Sequence, residues 1–126
     1  MRALVIDDAK AMRMILRQML GKLGFAVTEA ADGAEGLRQL REQGGADVAL
    51  VDCNMPGLDG FGFLKAVRAD GALAGLRVLM VTGEEEKAQA DRAIQAGADE
   101  YLVKPFTREA ILAKLQRLGL CPQLIA

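Results

Sequence analysis

The sequence predicts an α/β fold in which five parallel strands form one doubly wound sheet with five helices on both of its faces. Short apolar runs alternate five times with stretches of helical period along the 126 residues. Four of the five runs are almost continuously apolar, which is typical of strands covered on both faces. Strands joined by helices pair in parallel through right-handed crossovers, so the alternation indicates one open parallel sheet.

The five apolar runs are the predicted strands. They cover residues 3–6, 25–31, 48–51, 78–81 and 101–103. The second run mixes Thr28 and Glu29 with its apolar residues, which is typical of an edge strand. The other four should be covered on both faces.

The first two helices are marked by their apolar spacing and by their end signals. The first carries an apolar stripe that ends before Gly24, and its members are Met12, Ile15, Leu16, Met19, Leu20 and Leu23. We interpret the methionines of this stripe as core residues. The second helix begins at Asp32 with Glu35 three residues later, a capping-box pattern, and it ends at Gly44-Gly45.

The last three helices are predicted at about 60–70, at about 85–96 and after Thr107. The fourth is rich in alanine, and Ile94 is its main expected anchor on the sheet. Thr107 is the expected N-cap of the fifth helix. That helix bears an apolar stripe of Ile111, Leu112, Leu115 and Leu118.

Composition and charge exclude several classes of function. The formal net charge of −1 leaves no broad basic face, so we expect no direct nucleic-acid partner. The chain has no histidine, and it therefore cannot form a Ser-His-Asp triad or a His-ligated zinc site from its own residues. No apolar run suits a signal peptide or a membrane span, so we expect a cytoplasmic protein. Cys53 and Cys121 should then be reduced, with Cys53 packed against a helix.

Polar side chains follow four of the predicted strands, at the point where each strand ends. They are Asp7 and Asp8 after the first, Asp52 after the third, Thr82 after the fourth, and Lys104 with Pro105 after the fifth. Open parallel sheets bind ligands beyond the carboxyl ends of their strands, so these side chains should converge. Three carboxylates without imidazole or thiolate favour a hard cation such as Mg²⁺. A lysine and a hydroxyl opposite them suit a phosphoryl group.

This constellation resembles the receiver domain of two-component response regulators, in particular the single-domain CheY-like type. That family carries an acidic pair, a phosphoaccepting aspartate, a Thr or Ser and a Lys-Pro pair at the ends of these strands. The separations of 30 residues from Asp52 to Thr82 and of 22 from Thr82 to Lys104 are also similar. The resemblance covers nearly the whole chain. It implies the flavodoxin-like strand order 2-1-3-4-5 and a single receiver domain over residues 1–126.

The resemblance also implies a chemical mechanism. Asp52 would accept a phosphoryl group from a histidine of a separate sensor kinase. Asp8 and Asp52 would ligate Mg²⁺ together with the backbone carbonyl of Asn54, and Asp7 would act directly or through water. The protein would be a regulator rather than an enzyme, with self-phosphorylation from small donors and self-dephosphorylation.

Further site residues follow from the same resemblance. Lys104 and the Thr82 hydroxyl would take phosphoryl oxygens, and Pro105 would serve a structural role. Thr82 and Tyr101 would act as the switch that changes the surface of the fourth helix, fifth strand and fifth helix.

The lifetime of the phosphoryl group would be set by residues that overhang it. Asn54 and Glu84 can orient an attacking water, and Gly83 between the strand end and Glu84 leaves its path open. The pairing resembles that of fast-cycling chemotaxis regulators, so self-dephosphorylation is expected within seconds to minutes.

Two other classes of function are alternatives to a phosphorylated receiver domain. A haloacid dehalogenase-type aspartyl-phosphate hydrolase also uses aspartate, Thr or Ser, Lys and Mg²⁺, but it places a D-x-D pattern after its first strand. The segment "VIDDAKA" lacks that pattern. A receiver-like interaction module that takes no phosphate is disfavoured because Asp52, Thr82 and Lys104 are all present.

The output of the domain depends on other proteins. We expect a monomer without membrane contact that docks on a downstream target or passes its phosphoryl group to a phosphotransfer protein, because no effector domain is expected after the fifth helix. Chemotaxis and another phosphorelay are both open. The role of the tail, residues 119–126, is also open.

Overall fold

The computed structural model describes residues 1–53, 59–83 and 87–120, without the side chains of residues 87–90. The strands are β1 (Arg2–Ile6), β2 (Ala26–Ala30), β3 (Val48–Asp52), β4 (Arg77–Gly83) and β5 (Glu100–Lys104). The helices are α1 (Lys10–Lys22), α2 (Gly33–Gln43), α3 (Gly60–Ala69), α4 (Lys87–Gln95) and α5 (Arg108–Arg117), with a 3₁₀ turn at Gly71–Leu73. All neighbouring strands pair in parallel, in the order β2-β1-β3-β4-β5. The predicted class and strand order are confirmed.

Each face of the sheet is covered by its own apolar cluster. Alternate residues of β1 enter opposite clusters, because successive side chains of a strand point to opposite faces. Leu4 and Ile6 belong to the cluster shared with α2, α3 and α4, whereas Ala3 and Val5 belong to the cluster shared with α1 and α5. The central strand β3 is buried along its whole length. β2 lies at an edge and is only partly buried, as its mixed composition predicts.

Side-chain caps fix the beginnings of three helices. Asp32 and Thr107 each accept a hydrogen bond from the main-chain N–H three residues later, at the start of α2 and α5, which confirms both predicted caps. Asp59 caps α3 in the same way. At α1 the capping position is Ala9, whose side chain makes no such bond.

Two apolar residues lie on the solvent side of their helices, against the prediction. Ile94, the expected anchor of α4, is 41% exposed, and Ala93 is fully buried in its place. Adjacent residues of an α-helix lie about 100° apart around its axis, so Ile94 turns toward solvent when Ala93 faces the core. Ile15 of the α1 stripe is also exposed, and Leu16 and Leu20 make the contact with the core.

The structure also bears on the cysteines, the methionines and the tail. Cys53 is buried in the cluster that includes α3, as predicted. Met12 and Met19 pack partly against the cluster under α1 and α5, and Leu120 does the same. Cys121 and the rest of the tail lie outside the described residues.

In the part of the chain that the structure describes, no helix has the length and apolar character to cross a membrane.

Candidate functional site

The carboxyl ends of the strands bring the predicted polar residues to one edge of the sheet. Asp52 is the last residue of β3, and Asp7 directly follows β1, the neighbouring strand. On the other side of β3, the parallel register sets Gly83 of β4 beside Lys104 of β5. Thr82 lies one residue earlier in β4. Residues far apart in the chain are therefore neighbours at this edge.

Asp7, Asp8 and Asp52 form an acidic cluster. One carboxylate oxygen of each lies within 4.8 Å of those of the other two, with Asp7 and Asp52 buried and Asp8 exposed. Burial raises the pKa of the Asp7 carboxyl, and the charge of Asp8 adds to this effect. The main-chain N–H of Ala9, which donates to Asp7 Oδ1 at 2.8 Å, and the ammonium of Lys104 act in the opposite direction without cancelling it.

Lys104 faces two members of the acidic cluster. Its Nζ lies 3.7 Å from Oδ1 of Asp52 and 4.0 Å from Oδ2 of Asp7. Both distances exceed hydrogen-bond length, so the ammonium contributes charge without a close hydrogen bond to either carboxylate. The three carboxylates carry more negative charge than the Lys104 ammonium offsets. A site with this surplus and only oxygen donors fits a hard divalent cation such as Mg²⁺.

Thr82 lies at the same edge of the sheet, one residue before the end of β4. The residue is fully buried, and its Oγ1 has no hydrogen-bond partner among the residues that the structure describes. A buried polar group without a partner costs about 1–3 kcal/mol. A ligand oxygen that reached this hydroxyl would recover that cost.

Tyr101 connects this edge of the sheet to α5. It pairs in register with Met80, and therefore lies on the face of the sheet that also carries Thr82, two residues further along β4. The ring is half-buried, and Nζ of Lys114 lies 4.6 Å from its centroid. Glu100 holds that ammonium at 3.1 Å. The ring is thus tied to α5 through a cation that a neighbouring carboxylate fixes in place.

Burial raises the pKa of the Glu100 carboxyl, but hydrogen bonds from the Tyr101 main-chain N–H and from Lys114, together with the Arg117 charge, outweigh that effect. The pKa of Glu100 therefore lies below its usual value.

A glycine that the sequence analysis missed lies directly behind Asp52. A Cβ at Gly60, the first residue of α3, would lie 2.5 Å from the main-chain oxygen of Asp52 and 2.8 Å from Cε of Met80. Any side chain there would push α3 away from the end of β3. The pair Asp59-Gly60 could have been recognised as a helix start, but nothing in the sequence reveals the distant backbone that approaches it.

Some predicted site residues lie outside the described part of the chain. Asn54 and Glu84 are among them, so their predicted roles at the metal and at the attacking water stay predictions. Gly83 ends β4 and is half-buried. Pro105 directly follows β5, and the Lys104–Pro105 peptide bond is cis.

Comparison of sequences identifies a family that covers nearly the whole chain. Residues 3–116 match the family described as "Response regulator receiver domain". The chain is 44% identical over 119 residues to "Chemotaxis protein CheY" of Pseudomonas aeruginosa, covering 94% of this chain and 95% of that protein. It is 40% identical over 118 residues to "Chemotaxis protein CheY-3" of Vibrio cholerae, covering 94% and 91%.

Solved structures show the same relationship. The chemotaxis response regulator CheY4 of Vibrio cholerae superposes with a TM-score of 0.84 at 36% identity, covering 93% of this chain and 97% of that one. A response regulator receiver domain protein from Clostridium thermocellum superposes with a TM-score of 0.83 at 30% identity, covering 94% of each chain.

Proposed function

The chain belongs to the family of response regulator receiver domains, and we propose that Asp52 is the phosphoacceptor of its phosphorylation-dependent signalling switch. Members of this family are signalling regulators rather than conventional enzymes. The observation that carries the proposal is the position of Lys104, whose Nζ lies within 4.0 Å of carboxylate oxygens on both Asp7 and Asp52. Such a cation beside a nucleophilic carboxylate suits a reaction in which charge on phosphoryl oxygens must be neutralised.

The proposed reaction is phosphoryl transfer from a histidine of a sensor kinase. A carboxylate oxygen of Asp52 attacks the phosphorus in line with the donor nitrogen, the new P–O bond forms, and the P–N bond breaks with its electron pair remaining on nitrogen. Lys104 neutralises one phosphoryl oxygen. The Thr82 hydroxyl, buried without a partner among the described residues, donates to another.

The acidic cluster is the proposed magnesium site. Receiver domains generally bind Mg²⁺ at an acidic pocket, and the donor set of this chain fits that ion. Asp8 and Asp52 would hold it together with the carbonyl of Asn54, and Asp7 would contribute directly or through water. When bound, Mg²⁺ supplies two positive charges that offset the carboxylates and the phosphoryl oxygens. Self-phosphorylation from small donors should therefore require the metal.

The proposed output is a change in the surface formed by α4, β5 and α5. CheY-like receiver domains interact with histidine kinases and with downstream targets. Thr82 would move toward the phosphoryl group, and Tyr101 would turn into the space it leaves. The Lys114 ammonium over the Tyr101 ring would transmit this rotation to α5.

The lifetime of the phosphoryl group and the cellular compartment of the protein follow from the same proposed function. Asn54 and Glu84 would orient the water that hydrolyses the aspartyl phosphate, with Gly83 leaving its path open, so the phosphoryl group would last seconds to minutes. Residues 1–126 would act as one cytoplasmic, monomeric receiver domain without nucleic-acid or membrane contacts. Its target would be a protein, in chemotaxis or in another phosphorelay.

The test is to incubate the protein with acetyl phosphate and to follow its intact mass with Mg²⁺ and with EDTA. The proposal predicts one phosphoryl group per chain, formed only with Mg²⁺ and lost after the donor is removed. Steady hydrolysis of acetyl phosphate without an accumulating adduct would instead indicate a hydrolase. No change in mass and no hydrolysis of acetyl phosphate under either condition would indicate a module that does not take phosphate, and it would contradict the proposal.

A further inference from the structure

Arg13 in the first turns of α1 reaches back to the end of β1. Its Nη1 donates to the main-chain carbonyl oxygen of Asp7 at 2.7 Å, and its Nε donates to Oε1 of Glu29 at 3.3 Å. The side chain is only 17% exposed, although it carries a charge. Arg17, one turn later, pairs with the other oxygen of Glu29 at 2.8 Å but is 60% exposed. The two arginines share Glu29 as a partner. Of the two, Arg13 alone also donates a hydrogen bond to Asp7 among the described residues.

The carbonyl that Arg13 contacts belongs to the peptide between Asp7 and Asp8. The regular pairing of β1 with β2 ends at Ile6 beside Ala30. Beyond that point the Asp7 N–H still donates to the Ala30 carbonyl at 3.2 Å. Arg13 therefore holds the next peptide group, from which the Asp8 carboxylate extends. A charge-assisted hydrogen bond at 2.7 Å restricts the rotation of that peptide plane.

Glu29 fixes the arginine itself. It lies on β2, and its main-chain oxygen accepts a hydrogen bond from Gln39 of α2 at 2.8 Å. A guanidinium held on one side by a carboxylate and on the other by a carbonyl has little freedom, because its donors lie in one rigid plane. The peptide between the two aspartates is thus tied through Arg13 to the second strand.

We propose that Arg13 is a positioning residue for the metal-binding carboxylates, acting through the Asp7–Asp8 peptide; this inference rests on the proposed magnesium site. It assigns a role to a residue that touches neither the metal nor the phosphoryl group. Groups that hold metal ligands in place typically change metal affinity by about 10–100-fold when removed. Because Arg13 acts through the main chain, we expect the lower end of that range.

Because Arg13 is charged, a positioning role and a purely electrostatic role predict opposite changes in Mg²⁺ affinity when it is removed. Arg13 carries a positive charge 2.7 Å from the main-chain oxygen of Asp7. A positive charge near a cation site disfavours the cation, so removing it should strengthen Mg²⁺ binding if Arg13 acts only through its charge. Removing a positioning contact should weaken Mg²⁺ binding, because the peptide group that carries the Asp8 side chain is no longer held in one orientation. The two effects oppose each other, and the direction of the change distinguishes them.

The experiment is a titration of the metal-free protein with MgCl₂, followed by amide resonances in NMR spectra, for the wild type, Arg13→Met and Arg17→Met. The readout is the dissociation constant of Mg²⁺ and requires no phosphorylation. We expect Arg13→Met to bind Mg²⁺ roughly 10-fold more weakly. Arg17→Met removes the same charge from the same helix and the same partner, and it should remain within about twofold of the wild type.

Two further variants alter the contact of Arg13 by milder changes and so help to separate its role from a folding defect. Glu29→Gln leaves Arg13 in place but loosens it, and it should weaken Mg²⁺ binding in the same direction and by less. Arg13→Lys restores the charge without the planar pair of donors, and it should not restore wild-type affinity.

Equal or tighter Mg²⁺ binding by Arg13→Met would overturn the positioning role. So would an equal loss in Arg17→Met. Absence of Mg²⁺ binding by the wild type would instead contradict the proposed function on which this inference rests.

Discussion

Replacing Asp7 by asparagine should stabilise the metal-free domain. Asp7 is only 2% exposed, the pKa of its carboxyl is raised by burial, and two further carboxylates lie within 4.8 Å. Asparagine has nearly the same shape, and its side-chain oxygen can still accept the hydrogen bond from Ala9 N–H at 2.8 Å. The substitution therefore removes a charge and retains the local contact.

The size of the effect follows from the distances. At an effective dielectric constant of about 20, unit charges 4.8 Å apart repel by roughly 3.5 kcal/mol. Lys104 at 4.0 Å attracts Asp7 by about 4 kcal/mol on the same scale. The two repulsions together exceed the attraction to Lys104. Solvent around the exposed Asp8 and the Arg13 guanidinium, which donates to the Asp7 main-chain oxygen, both reduce this excess. We expect a gain of about 1–2 kcal/mol in the free energy of unfolding.

Urea unfolding followed by far-UV circular dichroism measures this gain, because the chain has no tryptophan. It should be present in EDTA and should shrink or reverse in saturating Mg²⁺, since bound cation makes the Asp7 charge favourable. Asp32→Asn is the matched control: Asp32 also accepts a main-chain N–H at 2.8 Å, and asparagine is an equally good cap, so its stability should change by less than about 0.5 kcal/mol. A loss of stability for Asp7→Asn in EDTA, or the same gain in EDTA and in Mg²⁺, would refute the reasoning.

Three other substitutions test neighbouring parts of the site. Gly60→Ala should lower the free energy of unfolding by more than about 1 kcal/mol, because its Cβ would clash with the Asp52 carbonyl, whereas Gly71→Ala meets no atom within 4 Å and should be nearly neutral in the same urea assay. Thr82→Val should raise stability by about 1 kcal/mol by removing the buried hydroxyl, and it should slow acetyl phosphate uptake measured by mass spectrometry. The pKa of Glu100 lies below its usual value in the folded state. Its stabilising effect is therefore complete above that usual value and is lost as pH falls through the folded-state pKa. Glu100→Gln should accordingly lower the melting temperature at pH 7. The variant should also lose less thermal stability than the wild type between pH 7 and 3, and an equal loss would contradict this role.

The order of helices and strands is predictable because each element is marked by a pattern of residues that are close in sequence. Apolar runs and the caps at Asp32 and Thr107 depend on residues close in sequence. The convergence at the acidic edge was also predictable, since parallel strands must bring their carboxyl ends together. The sequence alone therefore predicts that Asp7, Asp8 and Asp52 lie close together, as they do in the structure.

Other features depend on contacts that the sequence does not reveal. Hydrophobicity alone favours Ile94 as the core residue of α4, but the sequence does not reveal that the face carrying Ala93 packs inward and leaves Ile94 exposed. Gly60 matters because of a carbonyl on a different strand, and Arg13 because of a peptide group that its helix leaves behind. Each of these residues has an ordinary local explanation, so only packing distinguishes it.

The most direct test is to map the phosphoryl group by fragment mass spectrometry after reaction with acetyl phosphate and Mg²⁺, for the wild type, Asp52→Asn and the control Asp32→Asn. We predict that the wild type and the control carry one phosphoryl group on the fragment that contains Asp52, and that Asp52→Asn carries none. Uptake at the wild-type rate by Asp52→Asn, or a phosphoryl group mapped to Asp7 or Asp8 in the wild type, would contradict the assignment of Asp52 as the acceptor.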